Sequence, residues 1–158
     1  ALNKGSLEHP KLTVFNQDAF TFINKPGMLY DRVIVDMPDP HNEAINKLYS
    51  REFYKMIQRR MSPHGFIISQ SSSPFFTRRT FWTIEQTLNH VFDKTLSFQL
   101  TVPSFGLWGF NMASVNGSFV KDYEFTIPTK YINNEIMKSL QIFSEDTKKV
   151  ETPKHTYT

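Results

Sequence analysis

The chain has 158 residues, which is enough for one domain with a modest hydrophobic core. Hydrophobic residues make up 39% of the sequence and aromatic residues 15%, which is typical of a packed globular unit and not of a disordered chain. The net charge of +3 comes from interspersed acidic and basic residues, so it does not indicate a nucleic-acid partner. The absence of cysteine excludes disulfides and thiolate zinc sites.

Membrane and metal signals are also missing from the sequence. No apolar run approaches the roughly 20 residues of a membrane-spanning helix, and no signal peptide is recognisable. We therefore expect this segment to make no membrane contact and to be cytoplasmic. The five histidines lack the spacing of metal ligands, so no metal site is predicted. The pairs Arg59-Arg60 and Arg78-Arg79 are interpreted as solvated helix faces.

Strand candidates are short apolar runs that are β-branched or alternate with polar residues, bounded by turn residues. They lie at residues 11–15, 33–35, 66–69, 96–102 and 108–114. The run at 33–35 has no polar break, which favours a strand buried on both faces of a parallel sheet. The last two candidates are expected to pair as an antiparallel hairpin.

Helices are predicted between these strands. Asp18 is a suitable N-cap for a short helix over 18–23. Ser50 is a suitable N-cap for a helix whose apolar face ends at Met61, before a turn at 62–65. Three further segments complete the chain in order: an irregular helix or loop at 41–49, an amphipathic helix at 78–90, and a helix at 134–143. A short segment at 123–127 leads into the last of these.

Two carboxylates follow the apolar run at 33–35. Asp36 and Asp39 stand three residues apart on a turn that Pro38 and Pro40 make stiff, just beyond the carboxyl end of the predicted strand. In open α/β sheets, ligands bind at that edge. The pair is interpreted either as a site for a cationic substrate or as a turn cap beside a solvated side chain.

Four segments share an order and a composition with one enzyme family. They are Gln17–Phe22, Val35–Pro40 with Leu48–Tyr54, Gln70–Pro74 and Val102–Phe110. Over residues 1–115 the chain resembles the second half of the catalytic domain of the polyamine aminopropyltransferases, the spermidine and spermine synthases. The resemblance implies transfer of an aminopropyl group from decarboxylated S-adenosylmethionine, a co-substrate and not a tightly bound cofactor, to a di- or polyamine. The first strands of that domain fall outside the region of resemblance, so apolar sheet edge and helix faces should be exposed and the fragment is expected to self-associate as a homo-oligomer.

The resemblance assigns four residues to the amine side of the site. Asp36 corresponds to the catalytic base, and Asp39 to the carboxylate that anchors the amine. Gln70 lines the amine pocket, although a buried glutamine satisfied by backbone groups is the commoner case. Phe105 stands where well-studied soluble members have a tyrosine, in a segment two residues shorter, and is expected to pack on the aliphatic chain of the amine.

Three residues fall on the co-substrate side. Asp18 lies where the family binds the adenine amino group, an assignment that competes with its use as a helix N-cap. Ile45 and Leu48 belong to a loop over the active site and are expected to cover the co-substrate. The variants around Asp39 and Phe105 resemble those of a longer bacterial form with a membrane-embedded amino-terminal region, so the parent chain is expected to be membrane-anchored.

The predicted fold class is α/β, a partial Rossmann-like sheet of class I methyltransferase type that ends in an antiparallel hairpin. None of the six glycines forms a GxGxxG or P-loop motif. The first strands and the glycine-rich turn are therefore expected upstream of Ala1, and the isolated chain is expected to be inactive. Residues 1–116 are interpreted as the C-terminal part of the catalytic domain, 117–144 as an extension with a helix, and 145–158 as an extended or disordered tail.

Two other functions fit the sequence. An S-adenosylmethionine-dependent methyltransferase would use the same fold, since fold does not fix function. A non-catalytic pseudoenzyme or interaction module would account for Phe105 in place of the tyrosine. The pair Asp36 and Asp39 favours the aminopropyltransferase, because two carboxylates suit a diamine.

Overall fold

The computed structural model describes residues 4–117, 119 and 125–156. Within them, one mixed sheet has four strands in the order β1-β2-β4-β3. In chain order the strands are β1 Tyr30–Val35, β2 Met61–Gln70, β3 Lys94–Val102 and β4 Gly106–Ser114. β1 and β2 are parallel, whereas β4 is antiparallel to both β2 and β3. The predicted α/β class and the closing hairpin are confirmed.

Five α-helices lie in the described residues, with short 3-10 turns at Ser6–Glu8 and Lys47–Tyr49. The helices are α1 Ala19–Asn24, α2 Glu43–Asn46, α3 Arg51–Arg59, α4 Arg78–Asn89 and α5 Asn134–Ser139. Both predicted N-caps are confirmed: Asp18 accepts a hydrogen bond from the backbone N–H of Thr21, and Ser50 from that of Phe53. None of these helices is long and apolar enough to cross a membrane.

The main hydrophobic core joins α1, α3 and α4 to β1, β2 and β4. Six of its side chains are at most 1% exposed: Tyr49, Tyr54, Ile57, Ile67, Leu88 and Ala113. Each of the isoleucine and leucine side chains contributes about 1.5–3 kcal/mol by leaving water. The expectation that β1 is buried on both faces is wrong for this structure. Ile34 is 76% exposed because no described element packs on that face of β1, while its neighbour Val35 points into the core.

The structure differs from the sequence prediction at two places near β1. Residues 11–15 form no strand: Val14 and Phe15 stay exposed, and no described strand offers them a ladder. Residues 61–65 belong to β2 and not to a turn after α3, because Met61 already pairs with Tyr30, one irregularity before the regular parallel register begins.

Arg60 is buried, in contrast to the predicted solvated arginine face. Its guanidinium donates to the carbonyl of Met28 at 3.0 Å and to that of Lys25. It also lies 5.4 Å from the centre of the Tyr30 ring. A guanidinium keeps its charge when it is buried, so these carbonyls and the ring replace the water that it loses.

The segment beyond β4 ends against the edge of the sheet. α5 stops at Ser139, short of the predicted 143, because the chain turns to meet the free edge of β3. There the Gln99 N–H donates to the Leu140 carbonyl at 2.8 Å, and the Gln99 side chain donates to the Ile142 carbonyl at 2.5 Å. The predicted segment at 123–127 lies partly outside the described residues.

The tail from residue 144 to 156 has one turn and otherwise no helix or strand, and it packs on α4. Trp82 donates its indole N–H to the Thr147 carbonyl at 3.0 Å, and Lys149 Nζ lies 2.6 Å from the buried carboxylate of Glu85. The polar sequence of the tail gave no sign that it packs, and the interpretation of residues 145–158 as extended or disordered remains a prediction. The division into three segments remains a prediction.

Candidate active site

Three of the four predicted residues of the amine side, Asp36, Asp39 and Gln70, lie at the carboxyl edge of β1 and β2. Asp36 is the first residue after β1, and Gln70 is the last residue of β2. Because these strands are parallel, their carboxyl ends lie at the same edge of the sheet. The four residues after Gln70, 71–74, are all buried at this edge.

The Asp39 carboxylate is held through both of its oxygens. Gln70 Nε2 donates to Oδ1 at 2.7 Å, and the Ser72 hydroxyl donates to Oδ2 at 3.0 Å. Hydrogen bonds to an ionised carboxylate are about twice as strong as neutral ones. Each oxygen retains acceptor capacity, and Asp39 is half-buried, so the carboxylate can still bind a cation on its open side.

The orientation of the Gln70 amide is set by Tyr49. The Tyr49 hydroxyl lies 2.9 Å from Gln70 Oε1 and within 3.2 Å of the carbonyls of Met37 and Pro38. Tyr49 is 1% exposed, and burial, with a smaller contribution from neighbouring groups, raises the pKa of its phenol far above the usual range. The phenol therefore stays protonated, and its single proton serves these three acceptors, of which Gln70 Oε1 is the nearest. With its oxygen beside this donor, the Gln70 amide presents its N–H₂ to the Asp39 carboxylate.

Asp36 has the opposite environment. Its side chain is exposed, and its carboxylate accepts no hydrogen bond from residues 4–117, 119 or 125–156. Two carboxylates three residues apart thus differ in kind: Asp39 is fixed in orientation, whereas both oxygens of Asp36 are available to a ligand.

Residues 42–49, named here the lid segment, lie next to α1 and place the Tyr49 hydroxyl against Gln70 at this edge. The lid segment consists of α2 and the following 3-10 turn, which confirms the predicted irregular helix. Ile45 and Leu48 are partly buried against the hydrophobic core. Their expected contact with a co-substrate remains a prediction.

Asp18 joins α1 to the lid segment. One of its oxygens caps α1 by accepting from the Thr21 N–H at 2.7 Å, and the other lies 3.3 Å from Lys47 Nζ. The hydrogen bonds from Thr21, with a smaller contribution from Lys47, lower the pKa of the Asp18 carboxyl. The N-cap interpretation is confirmed, and the role toward adenine remains a prediction.

Phe105 lies apart from the hydrogen-bonded network. It occupies the turn between β3 and β4, is 62% exposed, and packs on Trp108 with 5.4 Å between ring centres.

Two residues of the site, Tyr49 and Ser72, were not predicted from the sequence. Tyr49 stands inside the segment 48–54 that carries the family resemblance, which is a usable signal, whereas nothing in the serine run 71–73 distinguishes its middle member.

The described residues gather no group of three or more histidine, aspartate or glutamate side chains that could hold a metal ion.

A mixed sheet in which β4 lies between β2 and β3, antiparallel to both, is a Rossmann-like sheet of methyltransferase type. Solved structures show the same fold. A spermidine synthase in complex with the transition-state analogue AdoDATO superposes with a TM-score of 0.77 at 22% identity, over 90% of this chain and 51% of that one. The spermidine synthase from Thermotoga maritima gives a TM-score of 0.74, also at 22% identity, over 90% and 50%.

Residues 2–125 match the family described as the spermine/spermidine synthase domain, and the chain belongs to that family. The polyamine aminopropyltransferase of Oceanobacillus iheyensis is 38% identical over 145 residues, 92% of this chain and 28% of that protein. The polyamine aminopropyltransferase 1 of Streptomyces coelicolor is 38% identical over 152 residues, 95% of this chain and 29% of that protein. The chain therefore spans less than a third of the length of these curated relatives.

Replacement of Tyr49 by phenylalanine tests the orientation of Gln70. Tyr49→Phe removes the donor to a buried amide oxygen, so we expect the free energy of unfolding to fall by about 1–3 kcal/mol. Urea denaturation measures this change. Tyr131→Phe is the control, because that tyrosine is 57% exposed and its loss should cost less than about 0.5 kcal/mol. Equal effects of the two variants would contradict the network.

The lowered pKa of Asp18 predicts a pH dependence. Its folded-state pKa lies below the value of 3.8 of a free side chain, so its ionised form stabilises the fold above about pH 4. That contribution is lost as pH falls through the lower, folded-state pKa. Asp18→Ala should cost about 1 kcal/mol at pH 7 through the lost cap. Thermal denaturation at a series of pH values should show the difference from the unmodified chain shrinking below pH 4; a constant difference would contradict this account.

Proposed function

We propose that this chain supplies the amine-binding and proton-accepting side of a polyamine aminopropyltransferase active site. The observation that carries the proposal is the unequal hydrogen bonding of the two carboxylates. Asp39 is fixed by Gln70 and Ser72, as an anchor for a cation should be, while Asp36 is free to take a proton. The names of the curated relatives support the same reaction class.

The reaction places two demands on these carboxylates. An amine nitrogen attacks the methylene carbon beside the sulfonium of decarboxylated S-adenosylmethionine; a C–N bond forms, the C–S bond breaks, and methylthioadenosine leaves. An alkyl ammonium has a pKa of about 10.4, so at neutral pH a base must remove its proton before attack. In the proposal, Asp36 accepts that proton, and Asp39 holds the amine by a charge-assisted hydrogen bond.

The lid segment would exclude water from these contacts. A drier site strengthens the attraction between carboxylate and ammonium. We propose that Ile45 and Leu48 cover the co-substrate and that Asp18 contacts its adenine. Phe105 would offer an apolar face to the chain of the amine, without the hydroxyl of a tyrosine.

We further propose that the 158-residue chain acts as part of a longer protein and has little activity alone. The curated relatives are more than three times as long as the part they share with it. Products should therefore be assayed with the longest protein that carries this chain, and with the chain itself for comparison.

The decisive experiment is mass spectrometry of the products formed from decarboxylated S-adenosylmethionine and a panel of di- and polyamines. We expect an amine that gains an aminopropyl group, with release of methylthioadenosine. Asp36→Asn should lower kcat by about 10²–10³-fold without loss of folding, because it removes a general base.

The matched control is Asp31→Asn, an exposed aspartate near the other end of β1, which should leave turnover unchanged. Equal effects of the two substitutions would contradict the role of Asp36. A methylated product, or no transfer by a folded protein that binds the co-substrate, would overturn the proposed function.

Self-association is a further expectation. Met28, Leu29 and Ile34 lie in or just before β1 and are 57–76% exposed, so they form an apolar patch at the outer strand of the described sheet. We propose that this chain self-associates to a homo-oligomer through that patch. Light scattering at increasing concentration tests this, and a monomer throughout would contradict it.

A further inference from the structure

Ser72 has a backbone conformation that serines rarely adopt. Its φ angle is 66°, in the left-handed region that is disfavoured for residues with a Cβ atom, and it is 1% exposed. The other described non-glycine residue with positive φ is Lys4, exposed near the start of the chain. A buried residue keeps such a conformation only where its surroundings impose it, and such residues cluster at functional sites.

Strand β4 imposes this backbone conformation on Ser72. The Gly109 N–H donates to the Ser72 carbonyl at 2.8 Å, and the Ser71 N–H donates to the Gly109 carbonyl at 2.9 Å. A Cβ atom at Gly109 would lie 3.0 Å from the Ser72 carbonyl oxygen and would overlap the Phe81 ring. The absence of a side chain at Gly109 thus lets the strand approach and fix the backbone of Ser72.

This backbone aims the Ser72 hydroxyl at the site. Its oxygen lies 3.0 Å from Asp39 Oδ2 and 2.6 Å from Thr77 Oγ1. An ionised carboxylate only accepts, so Ser72 donates to Asp39 and is itself an acceptor for the Thr77 hydroxyl. The single proton of that hydroxyl has a second acceptor in reach, the Ser73 carbonyl at 2.9 Å, and Thr77 Oγ1 accepts from the Ser73 N–H at 3.2 Å. A chain of hydrogen bonds therefore ends on the carboxylate, and each member polarises the next.

We propose that Ser72 is a positioning residue that fixes the Asp39 carboxylate for capture of a primary ammonium group. With Gln70 on one oxygen and Ser72 on the other, the orientation of the carboxylate is fixed, and each oxygen retains acceptor capacity for a ligand. Without Ser72, the bond to Gln70 would be the one left to the carboxylate among the described residues. This inference rests on the proposed function and goes beyond it, because it identifies what orients the anchor.

Two substitutions of Ser72 separate the hydroxyl from the backbone. Ser72→Ala and Ser72→Gly both remove the hydroxyl, so each should raise the KM for the amine about tenfold, the size of one hydrogen bond to a charged group. The KM for decarboxylated S-adenosylmethionine should not change. Thermal stability should differ between the two variants: Ser72→Gly, which relieves the left-handed strain, should melt at a higher temperature than Ser72→Ala.

Neighbouring hydroxyls provide matched controls. Ser73 is equally buried, but its hydroxyl accepts from the backbone N–H groups of Phe75 and Phe76 and does not contact Asp39. Ser73→Ala should therefore lower the melting temperature and leave the KM for the amine unchanged. Thr77→Val should raise that KM by a smaller factor than the Ser72 variants, and Thr77→Ser should restore it.

A binding measurement keeps this inference distinct from the proposed reaction. Isothermal titration of the protein with 1,4-diaminobutane should give a dissociation constant about tenfold higher for Ser72→Gly and Ser72→Ala than for the unmodified protein and Ser73→Ala. That result supports the inference even if no aminopropyl transfer is found, an outcome that would overturn the proposed function alone. Equal dissociation constants for all four proteins, or no binding of the diamine by the unmodified protein, would overturn the inference.

Discussion

The negative charge of Asp39 is the constraint on which the rest of the site depends. A half-buried carboxylate must recover from protein donors the hydrogen bonds that it loses with water. The two donors, Gln70 and Ser72, both belong to the chain as it leaves β2, so these bonds tie the carboxyl ends of β1 and β2 together. The buried Tyr49 stabilises the Asp39 carboxylate indirectly. Its hydroxyl binds the oxygen of the Gln70 amide, so that the amide cannot present this oxygen to the carboxylate. Gly109 contributes as well, because its lack of a side chain leaves room for the left-handed backbone of Ser72.

The proline turn after β1 gives two like carboxylates separate surroundings. Asp36 continues the direction of the strand into solvent, while Pro38 and Pro40 stiffen the backbone on either side of Asp39. The resulting difference does not come from residue type, since both are aspartates. A cation bound between them would meet one oriented acceptor and one unoccupied acceptor, and this asymmetry suits a substrate that must be held at one nitrogen and deprotonated at another.

Local sequence signals predicted the elements whose stability is local. Asp18 and Ser50 were found as N-caps because capping needs only the next three residues, whereas Gln70 was assigned to the amine pocket by the family resemblance and not by a local signal. The features that the sequence did not predict depend on contacts between residues far apart in the chain. Arg60 is buried because carbonyls more than 30 positions away accept its hydrogen bonds, and the φ angle of Ser72 is set by a strand that follows 37 residues later. No window of sequence contains both members of such a pair.

The C-terminal tail shows why polarity alone was a poor guide to order. Its residues bury little apolar area, yet they satisfy groups that would otherwise be unpaired at the end of the lid segment. The His155 carbonyl accepts from the Arg51 N–H at 2.9 Å, one of the first N–H groups of α3, which lack partners within the helix. The ring of His155 lies 3.2 Å from the Asn46 carbonyl, at the end of α2. Between these two contacts stands the 3-10 turn that carries Tyr49. A polar tail can thus be ordered by backbone pairing, and here it braces the turn from which the orientation of Gln70, and through it the Asp39 carboxylate, is set.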